Sequence, residues 1–262
     1  MNGPEEKVLV VGATGGLGRV VVDQAVEEGY AVRAFVRDLS KAGSFPETVK
    51  VFVGDVTQPD TLKSALEGLD AVILAHGSDG SSRAVSEAID YGGVRNVLLA
   101  LEGSPVRIVL NTAIGITNRE TEFNRQSGLT DWKHRSERLL RASGLPYTIV
   151  RPGWFDDAPA DHPRILMLQG DTRRSGTIND GLIARRQLAR VLVESVSSSS
   201  AVGKTFELIA EAGDATSDLE PLFADLTPDI KGQLDAPLDV TDMPLDQEPP
   251  SVRQDLQRVQ RQ

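Results

Sequence analysis

The stretch KVLVVGATGGLGRVVVDQAVEEGYAVRAFVRD, residues 7–38, constrains the fold more than any other part of the chain. An apolar run ends in a turn with four glycines in seven residues, then passes into a segment of helical spacing and a second apolar run. Gly12, Gly15 and Gly18 make G-x-x-G-x-x-G between a strand and a helix. In that place each glycine has a physical reason. Gly12 allows the tight turn, Gly15 lets backbone approach a diphosphate, and Gly18 allows close packing of helix on strand. The N–H groups of Gly15, Gly16 and Leu17, with Thr14 in the same turn, face an anion at a helix N-terminus. The strand–turn–helix context is what raises the pattern above an ordinary glycine turn.

The rest of the chain repeats the alternation. Short β-branched runs at 8–11, 31–36, 49–53, 71–75, 106–111 and 147–150 are separated by helical patterns at 19–28, 59–69, 83–101 and 131–142. Apolar runs without polar interruption suit strands buried on both faces, as parallel sheets require. The pattern predicts a Rossmann-like, doubly wound parallel α/β sheet. The crossover from 36 to 49 is too short for much helix. Residues 1–210 read as one dinucleotide-binding domain, with looser, substrate-side segments at about 152–183. Past that point ARRQLARVLVESV reads as a helix and KTFELIA as a strand. Residues 211–262 read as an acidic, partly helical extension in which Val252, Leu256 and Val259 share one helix face.

Charge supports that division. The chain carries a net −10, and residues 211–262 hold 12 acidic against 4 basic side chains. The simplest reading of that excess is a solvated tail. An acidic balance argues against a nucleic-acid partner. No apolar run approaches the roughly 20 residues of a membrane span, and the N-terminus shows no signal-peptide pattern. With no cysteine there is no thiolate chemistry, and the three histidines have no metal-ligand spacing. The expectation is a cytoplasmic monomer or homodimer that takes a small-molecule substrate.

Arg37 ends the second apolar run. In a dinucleotide fold that strand end faces the adenosine ribose, where an acidic residue favours NAD and an arginine accommodates the 2′-phosphate of NADP. Arg37 points to NADP, with Lys41 and Arg19 as helpers. Asp38 beside it keeps NAD open.

Taken together, VLVVGATGGLGR, GDVTQPDTLKSALEGLDAVILAHG, NTAIGI and SERLLRASGLPYTIVRPGWF resemble the atypical short-chain dehydrogenase/reductases, the NAD(P)H-binding, NmrA-like group, over about residues 7–210. The resemblance implies that Asp55 and Val56 contact the adenine and that Ala75, His76 and Gly77 line the cofactor. It places Thr112 and Ala113 near the nicotinamide ribose, and Pro152 and Gly153 against the carboxamide. Active relatives carry Tyr-x-x-x-Lys before the sixth strand. The Tyr is the acid or base; the Lys holds the ribose and lowers the Tyr pKa.

Here the lysine position is Lys133, but four residues earlier stands Leu129, which cannot transfer a proton. That leaves Thr112 and Lys133 as catalytic candidates and His76 and His134 as other acids to consider. Trp154, Phe155 and Asp156 form a possible substrate wall. Two functions follow: an NADP-dependent oxidoreductase acting on a small organic substrate, or a non-catalytic NADP(H)-binding protein that senses redox state or regulates a partner.

Overall fold

The computed structural model describes residues 6–155 and 162–261. Its first half is built as β1 (Lys7–Val11), α1 (Gly16–Glu27), β2 (Ala31–Val36), β3 (Lys50–Val53), α2 (Lys63–Leu66) and β4 (Ala71–Leu74). The helical stretch 83–100 comprises α3 (Arg83–Ser86), a wide π turn (Glu87–Tyr91) and α4 (Gly92–Ala100). There follow β5 (Arg107–Asn111), α5 (Glu122–Ser127), α6 (Leu129–Ser143), β6 (Tyr147–Pro152), β7 (Trp154–Phe155), β8 (Arg164–Leu168), β9 (Leu182–Ile183), α7 (Arg185–Ser197) and β10 (Lys204–Glu211). Two helices complete the chain, α8 (Glu220–Asp225) and α9 (Pro250–Val259). The crossover from β2 to β3 holds only one 3₁₀ turn, Leu39–Ala42.

Seven strands run parallel in the order β3-β2-β1-β4-β5-β6-β10. β8 is antiparallel to β10, and β9 joins β10 at Ala210 and carries β7 beside it. Successive strand residues point to opposite faces, so the apolar runs serve two cores. Val8, Val10, Ile73 and Val109 pack with Val21 and Val22 of α1 and Leu188, Val191 and Leu192 of α7. Leu9, Val11, Val72 and Leu74 pack with Val94, Val97 and Leu98 of α4, Leu139 and Leu140 of α6, and Val252, Leu256 and Val259 of α9. Strand order reverses between β1 and β4, which opens a crevice at their carboxyl ends. Among the described residues no helix is long and apolar enough to cross a membrane.

The acidic extension departs from the solvated tail that composition suggests. Its carboxylates are matched to arginines on α6 and β6. Arg135 Nε reaches Glu248 at 2.7 Å, and Arg138 bonds Asp235 at 2.6 and 2.8 Å and Glu248 at 3.0 Å. Arg141 Nε bonds Asp229 at 3.0 Å. Arg151, with no exposed surface, bonds Asp239 at 2.7 and 2.9 Å and Glu137 at 2.7 and 3.0 Å. Composition counts charges but does not pair them; arginines at 135, 138 and 141 recur every three residues and give the strap one helical stripe to bind. The match also explains how α6, mostly polar in sequence, is buried from Asp131 to Arg141.

Arg151 also meets Glu207 at 3.3 Å. Burial pushes the Glu207 carboxyl up to about 8, against the pull of Arg151 and helped by Asp171 and Asp239. A carboxyl raised in the folded state adds stability that is complete below its unfolded value near 4.5 and disappears as pH rises through about 8. Glu207→Gln should therefore flatten the stability profile between those limits and gain on the order of a few kcal/mol at pH 8 relative to the parent. Urea titrations at pH 5, 6.5 and 8 measure this, and parallel profiles for the two proteins would contradict it.

Candidate cofactor and active site

Two close backbone approaches shape the glycine turn. A β-carbon on Gly18 would lie 2.1 Å from the Gly12 carbonyl oxygen, so α1 seats on the turn only because residue 18 has none. Gly12, at φ +84°, has the His76 backbone where a β-carbon would be, at 2.8 Å, which ties the end of β1 to the residue after β4. Gly15 differs. Its conformation is ordinary extended backbone, φ −72° and ψ 166°, and a β-carbon there would meet only the Gly12 oxygen, at 3.3 Å. No side chain caps α1, and its first turn holds no acidic residue. Its leading N–H groups are oriented for an anion arriving over Gly15, Gly16 and Leu17. Thr14 lies half-buried in the same turn.

At the far end of β2, Arg37 is exposed and lies near enough to Asp55 to help hold that carboxyl below its usual range. The larger cause there is Thr57, whose N–H and hydroxyl donate to Asp55 Oδ1 at 2.9 and 2.8 Å. Asp38 accepts from the Ser40 N–H and hydroxyl at 2.9 and 2.7 Å. It caps its own 3₁₀ turn, and Arg19 braces that turn through Ser44 and the Lys41 carbonyl. Val56 is buried, its carbonyl accepting from Asn96 at 2.8 Å.

Ala75, His76 and Gly77 follow β4 at the crevice. His76 Nε2 stands 3.2 Å from the Ile89 carbonyl, which can only accept, so Nε2 carries the proton. Nδ1 is then a lone-pair acceptor, shielded from solvent and without a protein partner in the described structure. Burial lowers the His76 pKa to about 4 against the pull of Asp90. The ring is neutral near pH 7 and a poor acid. His134 is on the other side of α6, its Nε2 3.1 Å from Asp235 of the strap, away from the crevice.

Lys133 is buried between the ends of β4 and β5. Its ammonium is 3.4 Å from the Thr112 carbonyl and 3.5 Å from Asp90 Oδ1, and a β-carbon on Gly77 would lie 3.5 Å from it. Asp90, in the π turn, also accepts from the Ser78 N–H and hydroxyl. Sequence reading missed Asp90. Its signal was its place in the inward stripe Ser86, Asp90, Val94, Val97, where a carboxylate needs a partner. The Thr112 hydroxyl turns away from the crevice and donates to Glu137 Oε1 at 2.7 Å. Burial raises and Arg151 and Arg141 outweigh it, holding Glu137 down at about 2. Thr112 thus offers the crevice its carbonyl side through Lys133, while its hydroxyl belongs to the buried ionic network.

Pro152 ends β6 and Gly153 follows it. Gly153 donates to the Leu208 carbonyl at 2.8 Å and has the Gly181 oxygen 2.5 Å from where a β-carbon would be. Trp154 is 45% exposed, as are Phe123 at 50% and Ile178 at 56%. Asp156 lies outside the described residues.

A family model for NAD(P)H-binding proteins matches residues 12–199. The chain belongs to that NAD(P)H-binding family. It is 32% identical over 244 residues to an uncharacterized chloroplastic protein of Arabidopsis thaliana, covering 87% of this chain and 84% of the relative. Sanguinarine reductase of Eschscholzia californica is 26% identical over 263 residues, 84% of this chain and 96% of that one. Photosystem II assembly factor Ycf39 of Synechocystis is 29% identical over 206 residues, covering 78% and 62%. Among solved structures, the NADPH-dependent quinone oxidoreductase of Escherichia coli in complex with NADPH superposes with a TM-score of 0.58 at 22% identity, covering 79% and 70%. The family is one of oxidoreductase-like NAD(P)H binders. The open approach at Gly15, the uncapped start of α1 and the unpartnered His76 Nδ1 fit such a cofactor.

The glycines separate fold from binding. Gly15→Val should fold and lose most cofactor affinity, because its side chain occupies only the approach to the turn. Gly18→Ala should instead lower the melting temperature, since its methyl cannot coexist with the Gly12 carbonyl. Thermal unfolding and fluorescence titration of both variants check this; full cofactor affinity in folded Gly15→Val would place the diphosphate elsewhere.

Proposed function

We propose that the chain is an NADPH-dependent reductase of small conjugated acceptors, one that uses no side-chain acid. The observation carrying this reading is the first turn of α6. Lys133 is held between Asp90 and the Thr112 carbonyl, where it suits ribose hydroxyls, while the proton-transfer position one turn earlier is Leu129. A bound NADPH supplies hydride at its nicotinamide. Lys133 anchors and orients, and neutral His76 accepts a hydrogen bond at Nδ1. With leucine at the proton-transfer position and neutral His76 a poor acid, the proton that accompanies hydride comes from water.

That chemistry selects acceptors that hold the incoming electron pair stably, such as quinones and flavins, over simple aldehydes, whose alkoxide needs an acid. Phe123, Trp154 and Ile178 support a flat apolar substrate. The Trp154 backbone N–H bonds the Gly181 carbonyl at 2.9 Å, and Thr121 packs against Gly176, so the three exposed side chains belong to adjoining segments. A relative named for sanguinarine reduction and a structural neighbour named for quinone reduction agree with it. Anaerobic NADPH oxidation should be accelerated with quinones or flavins and not with aldehydes. Binding without oxidation of NADPH by any of these acceptors would favour the second reading, a cofactor-binding regulatory protein, to which Leu129 and the assembly-factor relative lend support.

Arg37 supplies the NADP preference, because Asp38 is engaged with Ser40. Arg37→Ala should weaken NADPH by about 1.5–3 kcal/mol, the range for hydrogen bonds to charged groups, and leave NADH nearly unchanged. Fluorescence titration decides it; equal affinity of the parent protein for both cofactors would sink the NADP assignment.

A further inference from the structure

Gly16 is the glycine of the turn that neither the turn nor α1 packing requires. It is the first residue of α1, and its conformation is helical. The atoms nearest to a β-carbon there would be those of the Arg185 guanidinium, with Nε at 3.3 Å, Nη2 at 3.4 Å and Cζ at 3.5 Å. Arg185 is the first residue of α7, which lies alongside α1 on the same face of the sheet. Its guanidinium is oriented from the other side by the ring of Phe155 in β7, 5.1 Å from Cζ to the ring centre. The starts of α1 and α7 therefore meet at the carboxyl edge of the sheet, and the missing side chain at Gly16 makes room for a cation.

From this we infer that Arg185 is a ligand of the cofactor's diphosphate, closing it from the α7 side opposite the glycine turn. Two helix N-termini and a guanidinium at one point favour an anion. The diphosphate is the anion that the turn already addresses, and its paired oxygens suit the fork of an arginine better than the single point of a lysine. Phe155 holds the guanidinium plane, which limits the entropy lost on binding. Arg185 thereby differs in kind from Arg37. Arg37 reads a group only NADP has, whereas Arg185 reads one that NAD and NADP share. The inference rests on the cofactor reading above.

The test is direct binding, with Arg185→Gln as the main variant and Arg185→Lys as the charge-retaining one. Three probes are titrated: NADPH, NADH and adenosine 2′-monophosphate, which lacks the diphosphate. Arg185→Gln should weaken NADPH and NADH by the same factor, about tenfold or more, and leave the 2′-monophosphate and the melting temperature of the free protein unchanged. Arg185→Lys should fall between. Parent-like affinity of Arg185→Gln for both dinucleotides overturns the proposal, as does equal weakening of all three probes, which would mean that the residue acts through the fold. A parent protein that binds neither dinucleotide overturns the cofactor reading and this inference together, an outcome separable from the others because no variant is needed to see it.

Discussion

The buried guanidinium of Arg151 ties together parts of the chain that local sequence would leave apart. It has no exposed surface and is bound by Glu137 of α6 and Asp239 of the C-terminal strap, with Glu207 of β10 at 3.3 Å. Removing an arginine from water costs several kcal/mol, and only close, well-oriented carboxylates offset it. The chain meets that demand with Glu137 of α6 and Asp239 of the strap, two segments far apart in sequence, so β6 can carry an arginine inside the sheet only when both are in place. Residues 211–261 are for this reason part of the fold, whatever their composition suggests.

Much of the architecture was legible because it depends on patterns of apolar residues. The runs at 8–11 and 71–75 are unbroken and that at 31–36 is interrupted only by Arg33, as suits strands covered on both faces, and they appear as β1, β4 and β2. Val252, Leu256 and Val259 predicted an amphipathic α9, and all three are buried in one core. The strap was read wrongly for a physical reason. Its acidic residues look like surface charge one at a time, and only a matching stripe on another element makes them interior. That stripe is at 135, 138 and 141, and the two segments lie nearly a hundred residues apart.

At the site, the backbone features were readable and the polar partners were not. Gly12 and Gly18 occupy the places their spacing suggests, because close backbone approach demands a glycine at each, whereas local packing makes no such demand at Gly15. Asp90 and Arg185 have no such local signature. Asp90 is identified only by the lysine brought to it from α6, and Arg185 only by the packing of α7 on α1. His134 beside Lys133 shows the limit from the other direction. Adjacent in sequence, they sit about 100° apart around the helix, one facing the crevice and the other the strap.

The two polar systems meet at one residue. The Thr112 carbonyl accepts from Lys133 in the crevice, while its hydroxyl donates to Glu137 in the buried network. From there contacts continue through Arg151 to Asp239 of the strap. Every link is a charge-assisted bond or a bond to a charged group, between side chains that are nearly all buried, where the low dielectric makes such bonds strong and loss of one partner costly. Lys133 is therefore held by more than its own helix. Its ammonium lies between Asp90 on one side and the Thr112 carbonyl on the other, and the Thr112 hydroxyl ties that residue to the ionic network. The strap's acidity, remote in sequence, thus reaches through Arg151 and Glu137 to the residue whose carbonyl meets one buried lysine.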